Sequence, residues 1–83
     1  MDASSQLTAL LELAEQLGYQ IRRADLGGEG GGACRLRGQE ILFVDTAADL
    51  EHRIEATAVA LSAHPELAKQ FILPELRDLL ERE

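Results

Sequence analysis

The chain has 83 residues, which fits one domain with one small core, because a chain this short hides only about 60% of its unfolded surface. Eight Lys and Arg against fifteen Asp and Glu give a formal charge of −7, which argues against extended binding to nucleic-acid phosphates or to an anionic membrane surface. At 46% hydrophobic and 28% charged, the composition is that of a packed domain rather than a disordered chain.

Leu7, Leu10, Leu11, Ala14 and Leu17 recur at helical spacing, with Glu12, Glu15 and Gln16 off the stripe. Ser4 or Ser5 can cap this helix and Gly18 can end it, so it is expected over residues 5–17. From Tyr19 the period becomes two: Tyr19, Ile21 and Arg23 alternate with Gln20, Arg22 and Ala24, as in a short half-exposed strand. Five of the seven glycines then fall within residues 27–32. Ordering such a run costs much backbone entropy, so it is expected as a flexible loop.

Ala33-Cys34-Arg35-Leu36-Arg37 alternates, Gly38-Gln39 stands where a two-residue turn belongs, and Glu40 to Asp45 follows, which makes residues 33–44 a β-hairpin. The run Ile41-Leu42-Phe43-Val44 is apolar on both faces, so this strand is expected to be covered on both sides, by helices or by a second copy of the chain. Thr46-Ala47-Ala48-Asp49 resembles a capping box and Asp45 is a rival cap. Either would start a helix carrying Leu50, Ile54, Thr57, Ala58 and Leu61 on one face and ending near His64-Pro65. A third helical segment holds Leu67, Ala68 and Phe71, and Pro74 opens a last one with Leu76, Leu79 and Leu80. The expected fold is α+β, in the order α-β-β-β-α-α, with a small antiparallel three-stranded sheet packed on helices.

Charge is uneven along this plan. Residues 19–38 hold Arg22, Arg23, Arg35 and Arg37 against Asp25 and Glu29, a net +2, leaving −9 on the remainder. Arg35 and Arg37 share a strand face, so with the amides of Gly30, Gly31 and Gly32 they form a candidate site for a phosphate or carboxylate ligand. The glycine run is not a nucleotide loop: it joins strand to strand, no Lys or Ser follows it, and Glu29 would repel an anion.

Cys34 is the only cysteine, which excludes an intrachain disulfide and points to a reducing cytoplasm. Its neighbours Arg35 and Arg37 would favour a thiolate, so redox or nucleophilic chemistry is a remote alternative, but its place on the Leu36 side is expected to bury it against the core. His52 and His64 are about three helical turns apart, too far to share a metal, and no cofactor motif is present. The acidic pairs Glu51/Glu55 and Asp78/Glu81 read as solvated helix surface.

The stretch Gly31-Gly32-Ala33-Cys34-Arg35-Leu36-Arg37-Gly38, followed by Leu42-Phe43-Val44-Asp45 and a helix, resembles a group of short bacterial proteins. Those proteins have an N-terminal helix, a glycine-led Cys-Arg hairpin and a C-terminal Leu-Pro-x-x-x-Arg segment. Here the last appears as Leu73, Pro74 and Arg77 with one residue fewer between. The order of elements is also loosely similar to the front part of minimal zinc peptidases, whose HExxH helix here reads RIEATAVALSAH. With no zinc ligands, that likeness implies no peptidase activity. The leading expectation is a small non-enzymatic interaction or accessory module acting as a homodimer, with Ile41, Leu42, Phe43, Val44, Phe71, Leu76 and Leu80 as its interface. The alternative is a binder of small anions.

Overall fold

A computed structural model describes residues 1–82 and shows an α+β fold in the order α-β-β-β-α-α. Helix α1 (Ala3–Gln16) begins earlier than its serines suggest, because Asp2 caps it, its carboxylate accepting from the Ser5 N–H at 2.8 Å. Gly18, at φ +97°, ends it in the left-handed region and turns the chain into strand β1 (Gln20–Ala24).

Strands β2 (Gly31–Leu36) and β3 (Gln39–Asp45) form the expected hairpin, with its turn one residue earlier than expected and each β2 residue therefore paired two positions away on β3. The two turn residues are Arg37 and Gly38, both at positive φ, so the connection has the left-handed form that matches strand twist. Arg37 at φ +52° occupies a conformation costly for a side chain without a local hydrogen bond.

The sheet is mixed rather than antiparallel. Its order is β1-β3-β2, and β1 runs parallel to β3, Gln20 standing beside Ile41 and Ala24 beside Asp45. The connection from β1 to β2 must therefore pass across the C-terminal end of β3. β3 is the central strand, and both of its faces are largely withdrawn from solvent: Ile41 and Leu42, on opposite faces, are almost wholly buried and Phe43 is half-buried, but only one face is covered by the helices. Leu42 and Val44 face the helices and join the core, whereas Ile41 and Phe43 alternate to the other face and lie outside that cluster.

Helix α2 (Leu50–Ser62) is capped by Asp49, which accepts from the His52 N–H at 2.8 Å. Neither Thr46 nor Asp45 takes that part. After His64 comes a single 3-10 turn (Leu67–Lys69) in place of a full helix, with Phe71 beyond it and 81% exposed. Pro74 is the first residue of α3 (Pro74–Glu81). Leu10, Ala14, Leu42, Ala58, Leu61 and Leu76, from all three helices and the central strand, are almost wholly buried together. Each leucine there contributes about 1.5–3 kcal/mol by leaving water. None of the described helices is long and apolar enough to cross a membrane.

Candidate functional site

The glycine run is organised by one carboxylate. Residues 25–30 cross the end of β3, and Asp45, the last residue of that strand, is fully buried beneath them. Its Oδ1 accepts from the N–H groups of Leu26 and Ala47, both at 2.9 Å; its Oδ2 accepts from Gly28 at 2.7 Å and Gly30 at 3.1 Å. Burial pushes the carboxyl upward, but these four donors outweigh it and bring its pKa from 3.8 to about 2. The loop expected over 27–32 thus divides: Gly28 and Gly30 are held on Asp45, and Gly31 and Gly32 already belong to β2.

The candidate anion site is affected directly. The Gly30 amide is committed to Asp45. Gly32 lies in a hydrogen-bonded pair with Phe43, and Arg35 forms an ion pair with Glu40 at 3.2 Å. Among the described residues Arg37 alone of that set has no side-chain hydrogen bond or ion pair, and it sits exposed in the hairpin turn. An anion at the glycines would have to compete with a carboxylate already in place.

The residues that do converge lie on the helix-facing side of the sheet. His64, with a side chain only 5% exposed, stands 3.1 Å from Glu40 through Nε2, and its Nδ1 accepts from the Glu66 N–H at 3.0 Å. That bond assigns the ring proton to Nε2, which donates to Glu40. Tyr19 meets the His64 ring edge-on, centroids 5.4 Å apart. Burial, then the charge of Glu40 and a hydrogen bond to it, raise the Tyr19 phenol above its usual range, with Arg35 pulling weakly the other way. This cluster closes one end of a groove of about 530 Å³ between β2 and α2, whose walls include Gly31, Ala33, Ala56, Val59, Ala60 and Ala63.

Spacing along the chain carries little sign of this cluster. Tyr19, Glu40 and His64 are far apart in sequence, and only the β2–β3 register brings Glu40 beside Arg35. Tyr19 is the only tyrosine, so its ionisation can be followed alone by near-ultraviolet absorbance. Glu40→Ala is expected to let Tyr19 ionise at lower pH than in the native chain, since a negative neighbour is removed and Arg35 is left. An unchanged titration midpoint would show that Glu40 does not act on the phenol.

Cys34 is exposed on the opposite face of the sheet, next to Leu36, which is 54% exposed, and not against the core as its alternation suggested. Neither histidine shares its surroundings: His64 is on Glu40 across the sheet and His52 hydrogen-bonds Asp49 at the start of α2. Among the described residues no three His, Cys, Asp or Glu side chains are placed to hold a metal ion together. Of the expected interface residues, Leu42, Val44, Leu76 and Leu80 are buried in the chain's own core, as is Ile41 within the sheet, while Phe43 is half-buried and Phe71 projects outward.

No family model, curated protein or solved structure matches the chain.

Proposed function

We propose that the chain is a small interaction module that works as a homodimer. The observation that supports this is the surface left by β2 and α2. β2 is an outer strand of the sheet, and Ala33, Cys34, Arg35 and Leu36 are all exposed along it. Beside it, Val59 of α2 is 46% exposed among the small residues Ala56, Ala60 and Ala63. A sheet edge with apolar surface on both sides is the kind of feature proteins ordinarily shield with charge, a bulge or another chain.

The homodimer predicts a molecular mass of about 18 kDa, two copies of the 9.1 kDa chain, by light scattering after size exclusion at high micromolar concentration. A clean monomer under those conditions overturns the reading. The anion alternative receives less support, because the Gly30 amide is engaged by Asp45, Gly32 is paired with Phe43 and Arg35 is paired with Glu40.

A further inference from the structure

The geometry points to one mode of self-association: β2 pairs antiparallel with β2 of a second copy about a two-fold axis at Ala33, joining two three-stranded sheets into one of six strands. This rests on the homodimer reading and specifies its interface.

The backbone decides which groups are available. In a hairpin with a two-residue turn, the pair flanking the turn, Leu36 and Gln39, is hydrogen-bonded, and the bonding alternates from there. Cys34 and Gly32 therefore bond to β3, and Gly30 continues the pattern, its carbonyl accepting from the Asp45 N–H at 3.3 Å. Gly31, Ala33 and Arg35 direct their N–H and C=O groups away from β3. Among the described residues none of these groups has a backbone partner outside its own strand. They form a row of donors and acceptors spaced for another antiparallel strand.

The side chains suit a second copy. About an axis at Ala33, each Arg35 stands opposite the other copy's Gly31, so the two guanidinium groups are not opposed and each long side chain meets a residue with none. Cys34 stands opposite Gly32. Arg37, in the hairpin turn of each copy, comes to the same end of the joined sheet as the exposed Glu29 in the crossing loop of the other, so the two-fold brings opposite charges to both ends. The groove wall of Ala56, Val59, Ala60 and Ala63 lies on the same side as the open edge, and its small side chains leave room for the second copy to approach.

Ala33→Cys in a Cys34→Ser background tests the register. Residues paired across the axis in a hydrogen-bonded antiparallel pair have Cα atoms about 5.5 Å apart, within the range a disulfide spans. Mild oxidation is expected to convert most of this variant to a covalent dimer of about 18 kDa, whereas native Cys34, diagonal to its counterpart at about 7–8 Å, links slowly. Ala33→Pro removes an outward N–H without touching the β2–β3 bonds, and costs the dimer two hydrogen bonds. It is expected to weaken dimerisation about tenfold or more while the circular dichroism of the monomer is kept. A chain that dimerises normally but whose introduced cysteine does not link, or links more slowly than native Cys34, overturns this interface and leaves the homodimer standing. A chain that stays monomeric overturns both.

Discussion

Asp45→Ala is expected to lower the thermal midpoint by roughly 10 °C or more, as measured by circular dichroism, because it leaves four backbone donors without their acceptor where a domain this small has little reserve. Asp45→Asn is the sharper variant. It keeps the shape but replaces one acceptor oxygen by a donor amide, which then faces N–H groups, so it too should destabilise substantially. The native chain carries a pH signature that Asp45→Asn removes. The carboxyl is held at about 2 in the fold against 3.8 ordinarily, so folding is favoured by its ionised form. That contribution is complete above about pH 4 and is lost as the pH falls from about 4 toward 2. The Asp45→Asn chain should show a flatter stability profile across that interval. Profiles of equal slope would show that Asp45 is not the group responsible.

Gly31→Ala should be comparably damaging for a different reason. A Cβ placed on Gly31 would stand 2.1 Å from the Phe43 carbonyl oxygen and 2.9 Å from its carbon, and the residue has φ +104°. Both obstacles are backbone, so no side chain can move aside. The chain would have to give up the first β2–β3 pair or rotate the crossing loop off Asp45, at a cost of about 2–4 kcal/mol by urea titration. Gly27→Ala is the comparison: it shares a positive φ, at +89°, but nothing lies within 4 Å of the added methyl, so the conformational penalty alone of about 1 kcal/mol is expected. Equal losses at the two positions would mean that close approach to β3 is not what selects glycine at 31.

Most of the fold was legible because its elements carry local signals. The stripe from Leu7 to Leu17, the alternation in the hairpin and Pro74 at a helix start each report the backbone state of their own neighbourhood. Strand order has no such signal. That β1 lies parallel beside β3 depends on pairing residues such as Gln20 and Ile41, and nothing near either one records it. The same gap hid the role of Asp45. An Asp shortly before a helix reads as a cap, and five clustered glycines read as slack; only the crossing of the loop over β3 puts the carboxylate beneath the amides.

The candidate site was legible in part. Arg35 stands out in the sequence as a cation on a strand, but its partner Glu40, and His64 behind it, do not. Hydrophobic identity likewise does not separate core from surface. Leu42, Val44, Leu76 and Leu80 look the same in sequence as Leu36 and Phe71, yet the first four are spent inside the domain and the last two are exposed. In a small protein the apolar residues left over are decided by which strand is central, and that is a property of topology.

The mixed sheet also sets an order for folding. The hairpin joins neighbours in sequence and needs little loop closure, whereas β1 reaches β3 only by bringing Gln20 to Ile41 across the glycine run. Entropy therefore favours a nucleus of β2, β3 and α2, with β1 and α1 docking onto an existing central strand. In that sequence Asp45 acts late, as the clasp that fastens the crossing once β1 has arrived. Weakening it should then speed unfolding far more than it slows refolding, so that it governs how long the native chain stays closed.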